Sequence, residues 1–180
     1  FKVNTGFEPE FSMGRTGRVD WNSVLESQCG NPERNELIIK IVKYFKNRNF
    51  LILTKRIQQG NFIIKRLEEE GEDVTSLIGV QKQFDFKSRI LVATIQKAGV
   101  GFDHPKLDSL ILASDVEEYF IQYLGRIMRK EAKNEEELPY IFDLVDNNAI
   151  LKKHFYTRRK IYIDHGGKIK DFNKIYADKI

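Results

Sequence analysis

Gln122, Gly125, Arg126 and Arg129 stand at offsets 0, 3, 4 and 7 in the run Gln122-Tyr123-Leu124-Gly125-Arg126-Ile127-Met128-Arg129. At about 100° per residue the four share one stripe of a helix. Val116, Tyr119, Phe120, Tyr123, Leu124 and Ile127 fall roughly opposite. Such a helix can bury its apolar side while aiming both guanidiniums outward. Two planar, permanently charged forks side by side suit a polyphosphate. An ordinary amphipathic helix with two solvated arginines has the same spacing, so the decision rests on what surrounds it.

Upstream, Ile90-Leu91-Val92-Ala93-Thr94 is followed by Ile95-Gln96-Lys97-Ala98-Gly99-Val100-Gly101-Phe102-Asp103-His104-Pro105. The apolar run ending in Thr reads as a strand buried on both faces, as in a parallel sheet. The segment after it reads as a loop. Gly99 and Gly101 allow a close backbone approach to a sugar or phosphate, and Asp103 can accept bonds from ribose hydroxyls. Taken alone, a Gly-x-Gly-x-Asp loop is more often a turn than a site.

The elements that must position these groups alternate as parallel β-α-β units require. Strands are expected at 50–54, 74–78, 89–94, 108–113 and 139–145. Helices are expected at 32–47, opened by Asn31-Pro32, and at 56–70, 81–87 and 116–130. The fold class is therefore α/β, a doubly wound and mainly parallel sheet flanked by helices. Ligands of open parallel sheets gather at the carboxyl ends of the strands. Here those ends carry Thr54-Lys55-Arg56, Ile78-Gly79, Thr94 and the 99–103 loop.

A length of 180 residues with 41% hydrophobic residues fills one core. The lone Cys29 excludes an internal disulfide. His104, His154 and His165 are scattered without cysteines at metal spacing, so no metal site is assigned. No apolar run of about 18 residues or signal peptide occurs, so no membrane partner is implied and an intracellular location is expected. The net charge of +4 is uneven: residues 147–180 hold nine Lys/Arg against three Asp. There Ile150, Leu151, Phe155, Ile161 and Tyr162 keep helical spacing, with Lys152, Lys153, Arg159 and Lys160 off that stripe. A basic face of this kind presents cations to phosphates, and a solvated charged helix has the same pattern. Gly166-Gly167 marks its end. A last short helix around Phe172, Ile175 and Tyr176 is expected to dock on a neighbouring domain. Residues 1–30, broken by four glycines and a proline, read as a connector with an edge element. Arg15, Arg18 and Trp21 there are more often ordinary surface than nucleic-acid contacts. The division is then 1–30, a core domain at 31–146, and a basic helical extension at 147–180, with an exposed acidic loop at 131–137.

The two central segments, in this order and about twenty residues apart, resemble motifs V and VI of superfamily 2 helicases. The family's Gln-x-x-Gly-Arg-x-x-Arg is met by Gln122, Gly125, Arg126 and Arg129. Phe50-Leu51-Ile52-Leu53-Thr54-Lys55-Arg56 resembles its motif IV, and the likeness runs over about 35–147. It implies the second RecA-like domain of a helicase motor. In such domains the residues matching Thr54, Lys55, Arg56, Gly79 and Thr94 line the nucleic-acid strand through its phosphates. Those matching Gly99, Gly101, Asp103, Gln122, Gly125, Arg126 and Arg129 belong to the nucleotide side, with Arg126 and Arg129 as arginine fingers. No Gly-x-x-x-x-Gly-Lys-[Ser/Thr] loop and no Asp-Glu-x-[Asp/His] run occurs in the chain. The resemblance therefore implies that ATP and Mg2+ are held mainly by an N-terminal RecA-like domain outside it. The start at Phe1 without Met reads as a piece of a larger protein.

A finer likeness involves Asn31 to Glu36, the 96–105 phrase and Leu151 to Gly166. These resemble the helicases of large cytoplasmic DNA viruses, including the poxvirus transcript-release group and African swine fever virus relatives. This implies a viral role in transcription, replication or repair, in host cytoplasm or virion, on single- or double-stranded nucleic acid, with DNA favoured over RNA. Phage and bacterial translocases share motif VI. A second class remains open, a helicase-like domain without catalysis that serves as a nucleic-acid-binding or partner-docking module.

Overall fold

The computed structural model describes residues 1–99, 103–117, 120–127, 132–134 and 137–180, with backbone only at 120–122 and 126. Its elements run β1 (Lys2–Asn4), α1 (Trp21–Gly30), α2 (Pro32–Tyr44), β2 (Phe50–Thr54), α3 (Ile57–Glu69), β3 (Val74–Leu77), β4 (Ile90–Thr94), α4 (Ile95–Gly99), β5 (Ser109–Leu112), α5 (Phe120–Ile127), β6 (Tyr140–Val145), α6 (Ala149–Asp164) and α7 (Phe172–Tyr176).

Alternate residues of β2 go to opposite sides. Phe50 and Ile52 join one apolar cluster with Ile38, Ile41 and Val42 of α2, Ile63 and Leu67 of α3, and Phe172 of α7. Leu51 and Leu53 join another with Ile95 and Ala98 of α4, Tyr123, Leu124 and Ile127 of α5, and Tyr162 of α6. A strand buried on both faces needs a sheet covered on both sides, which is why its sequence is a continuous apolar run. The six strands are parallel in the order β1-β6-β5-β2-β4-β3. From β4 the chain crosses over β2 to reach β5. The carboxyl ends of β2, β4 and β5 therefore border the point where the strand order reverses, the usual ligand crevice of such sheets.

The expected doubly wound α/β fold is present, and several local signals act as anticipated. Asn31 caps α2, its Oδ1 accepting from Arg34 N at 2.8 Å, with Pro32 at the first helical position. Beyond α6, Gly166 has φ +80°, a conformation that favours glycine. Gly166 N and Gly167 N return to Ile163 O and Tyr162 O at 2.9 and 2.8 Å, which closes the helix end.

Four expectations are corrected. Residues 81–87 form no helix. Gln81 Oε1 accepts from Ser76 Oγ and Ile78 N, and Asp85 N donates to Thr75 Oγ1, so side chains take the hydrogen bonds a helix would use. Phe84 and Phe86 turn instead to the His104 ring, at 5.7 and 5.6 Å between centroids. Second, the segment after β4 starts as the short helix α4, and Gly99 is its last residue rather than part of a loop. Third, residues 1–30 contain a ten-residue helix, α1, besides the edge strand β1. Fourth, α7 docks on this chain's own sheet. Phe172 is 1% exposed and packs near Phe142 at 5.9 Å between ring centroids. Of the acidic stretch, Lys133, Asn134 and Glu137 are described and exposed. No helix among the described residues is long and apolar enough to cross a membrane.

Candidate nucleotide and nucleic-acid site

At the carboxyl edge Thr54 and Thr94 are direct register partners on β2 and β4. Thr54 is wholly buried and Thr94 is 8% exposed. Thr54 lies beside Gly60, where an added Cβ would come within 3.4 Å of its Oγ1. The surface at this strand end is therefore made by Lys55 and Arg56, both half-buried. Arg56 Nη2 donates to Asn22 Oδ1 of α1 at 3.1 Å, so the unexpected helix α1 holds one of the candidate cations. Gly79 follows β3 with φ +60°, which is strained for any side-chain-bearing residue. Lys97 Nζ donates to Gln81 O at 3.1 Å and ties α4 to the loop after Gly79.

On the side expected to face the nucleotide, Val116, ahead of α5, and Tyr123, Leu124 and Ile127 are all at most 1% exposed, as anticipated, while Tyr119 and the side chain of Phe120 lie outside the described residues. Tyr123 Oη donates to Ile95 O at 2.5 Å and anchors α5 to α4, the element that starts where β4 ends. Gly125 is exposed, and an added Cβ would meet nothing within 4 Å. Asp103 is exposed beyond α4. Gly101 and Arg129 lie outside the described residues, as do the side chains of Gln122 and Arg126.

Behind this edge lies a buried polar frame that the sequence reading missed. Asp146, just past β6, takes Arg34 Nε at 2.9 Å and the amide of Gln28, and accepts from Thr5 Oγ1 at 2.5 Å. Arg34 Nη1 and Gln59 Nε2 both donate to Ala113 O, and Ser114 Oγ donates to Gln59 Oε1 at 2.6 Å while accepting from Lys55 N at 3.2 Å. On the other flank Arg158 of α6 bonds both oxygens of Asp143 at 2.8 Å, Asp115 at 2.7 Å and Val116 O. Burial opposes the Arg158 charge, but Asp143 and Asp115 outweigh it and raise its pKa above the ordinary guanidinium range. Burial, reinforced by Asp143, also pushes the Tyr162 hydroxyl well up. Signals existed for this frame. Asp143 interrupts the apolar strand Tyr140–Val145, and Arg158 falls in the stripe Leu151, Phe155, Tyr162; a charge in either place needs a buried partner.

Residues 113–117, which lead into α5, are thus held from both sides. His154 adds to this, with Nδ1 at 2.7 Å from Asp115 and Nε2 at 2.8 Å from Glu117. The three ligand atoms lie within 4.8 Å of one another. The imidazole sits between the two carboxylates, with one ring nitrogen within hydrogen-bond distance of each. No metal role is assigned to it.

Cys29 is buried with Sγ at 3.5 Å from Ser114 Oγ. Burial raises its thiol pKa despite that hydrogen bond and the nearby Arg34. A thiolate-selective reagent at pH 8 is therefore expected to label Cys29 only as fast as the domain opens, with full reactivity restored in denaturant. Labelling of the native chain at the rate of an exposed thiol would contradict this placement.

Of the tail cations, Lys152, Lys153, Arg159 and Lys160 are exposed on α6 while Leu151, Phe155, Arg158 and Tyr162 face the sheet. The helix expected there is present, and Arg158 belongs to its buried side.

No protein-family model matches the chain. It is 43% identical over 192 aligned residues to the helicase-named protein 161L of Invertebrate iridescent virus 6, covering 96% of this chain and 42% of the relative. To the helicase-named 055L of Frog virus 3 it is 36% identical, over 93% of this chain and 38% of the relative. The uncharacterized protein 108L of Invertebrate iridescent virus 3 is 52% identical, over 57% of this chain and 95% of the relative. The chain spans about four-tenths of the length of its helicase-named relatives. Among solved structures, T4 UvsW matches with a TM-score of 0.66 at 20% identity, covering 91% of this chain and 38% of that chain. The C-terminal domain of the DEAD-box protein Dbp5 matches with 0.58 at 17% identity, over 74% and 81%. An all-parallel sheet of this order, shared with these solved helicase domains, is the fold of a helicase C-terminal, RecA-like domain. By sequence the chain belongs with the iridovirus proteins, covering 95% of 108L at 52% identity, and two of these viral relatives carry a helicase name.

Proposed function

We propose that this domain is half of an ATP-driven nucleic-acid motor in which a second RecA-like domain, N-terminal to it, holds ATP and Mg2+. The observation that carries the reading is the shared anchoring of its two sides. Lys55 N, at the strand end assigned to nucleic acid, bonds Ser114 in the short segment that leads into α5. A change of grip at one side is therefore mechanically linked to the other. Closure would bring Arg126 and Arg129 to the γ-phosphate, with Gln122 beside them, and neutralise transferring charge only in the closed form. Asp103 would accept from the ribose, and Gly99, Gly101 and Gly125 would allow close approach. The donor set fits this division: cationic forks and glycines suit phosphates, and the chain lacks the acidic run that would hold a magnesium ion.

Lys55, Arg56, Gly79 and Thr94 would line the strand, with Thr54 behind them and Lys152, Lys153, Arg159 and Lys160 adding charge. Contacts to phosphates position a protein without reading sequence, so binding is indifferent to base order. The helicase-named viral relatives support a role in a viral nucleic-acid transaction, and we take the strand to be DNA rather than RNA. They lend no support to the binding-only alternative.

Affinity for a single strand is expected to fall steeply with salt, because each neutralised phosphate releases counterion. Replacing Lys55 and Arg56 together by Ala is expected to flatten the slope of log K against log salt by about 1.4, two phosphates at about 0.7 each. A slope unchanged in that variant, measured by fluorescence anisotropy, removes these residues from the strand path.

A further inference from the structure

The outer face of α6 has a pattern that charge alone does not account for. Tyr156 is 60% exposed and Ile163, seven residues on, is 45% exposed. At about 100° per residue they lie on one line, with Lys152 and Arg159 about 40–60° to one side and Lys153 and Lys160 about 40–60° to the other. Each lysine or arginine is likewise seven residues from its row partner, about 10.5 Å along the axis. A ridge of one aromatic and one aliphatic side chain thus runs between two basic rows, on the side away from the buried Leu151, Phe155, Arg158 and Tyr162. None of the four cations is ion-paired among the described residues; Lys152 Nζ donates to the neutral Asn147 Oδ1 at 2.6 Å. The helix end is fixed by the Asn148 cap and the Gly166 turn, and Tyr156 leans edge-on against buried Phe155 at 5.6 Å, so the platform is preset.

We propose that Tyr156 is a stacking platform for an unpaired nucleobase, with the phosphates of the same strand lying along the flanking cations. The inference rests on the nucleic-acid reading above and adds to it a preference for single strands. A duplex keeps its bases stacked inside and offers only phosphates; an unpaired base has a free face for the ring. An acidic protein would use the charges, but unlike a single strand it does not carry a planar face beside every anionic group.

The test compares binding of the 180-residue chain to an oligothymidylate and to a duplex of equal length. Tyr156→Ala is expected to weaken single-strand binding by about 5- to 150-fold, the worth of one stacked base, without changing the salt slope or duplex affinity. Tyr156→Phe, which keeps the ring, is expected to bind like the parent. Lys153→Glu with Lys160→Glu is expected to flatten the salt slope for both ligands. If Tyr156→Ala binds the single strand like the parent while the charge-reversed variant is weakened, stacking is wrong and the basic face stands. If the charge-reversed variant is also unaffected, this helix has no part in binding. Equal losses for single strand and duplex, or competition by polyglutamate equal to that by oligothymidylate at matched charge, would also overturn the proposal.

Discussion

Nucleic-acid-stimulated ATP turnover is expected to fall roughly 10³- to 10⁵-fold when Arg126 or Arg129 is replaced by Ala in the polypeptide that carries both motor domains, as for other arginine fingers. Folding should be nearly unchanged. By sequence spacing both arginines are expected on the stripe of exposed Gly125, away from Tyr123, Leu124 and Ile127, which are buried against the sheet. Substitutions away from buried contacts usually cost under about 0.5 kcal/mol. Lysine should rescue poorly at either position, because an ammonium keeps the charge but loses the planar fork that spans two phosphate oxygens. Strand binding without nucleotide should barely move, since the strand contacts are assigned to Lys55, Arg56 and Thr94. A folded variant with near-normal stimulated turnover takes its arginine out of the finger role.

The second large effect concerns stability. Arg158→Ala leaves Asp143 and Asp115 buried, at 1% and 3% exposure, without their shared cation. Removing one partner of a buried ion pair typically costs about 3–5 kcal/mol, a large share of the total for a domain of this size. Denaturant unfolding is expected to show a midpoint lowered accordingly. Arg158→Met combined with Asp143→Asn and Asp115→Asn removes all three charges and is expected to recover part of that loss. A midpoint for Arg158→Ala within about 0.5 kcal/mol of the parent, the range of ordinary surface changes, would show that the aspartates are not held by this residue. Because Arg158 also bonds Val116 O just before α5, the destabilised variant should lose stimulated turnover along with stability.

The central strands were legible because burial on both faces leaves a strong mark. The apolar runs at Phe50 and Ile90 can be satisfied only between two layers, and both are strands. The stripe on α5 was legible for a similar reason, since its apolar side is continuous through Tyr123, Leu124 and Ile127. Short elements were not. β1 has a single buried residue, Val3, and its pairing to β6 depends on contacts about 140 residues away. The helix expected at 81–87 lost to side-chain hydrogen bonds from Gln81, Thr75 and Asp85, whose geometry depends on β3 being in place. The buried frame was hidden for a different reason. Asp143, Asp146, Arg34 and Arg158 are charged residues that composition assigns to the surface, and only the sheet brings them together. The docking of α7 onto Phe142 likewise depends on where the two ends of the chain meet.

The most direct test of the motor reading is a comparison of ATP hydrolysis, with and without single-stranded nucleic acid, by this 180-residue chain and by a polypeptide extended toward its N-terminus over the length of the helicase-named relatives. The account predicts no turnover from the 180 residues alone and strong, strand-stimulated turnover from the longer polypeptide. Turnover by the 180 residues, or a folded longer polypeptide that binds the strand yet hydrolyses nothing, would contradict it.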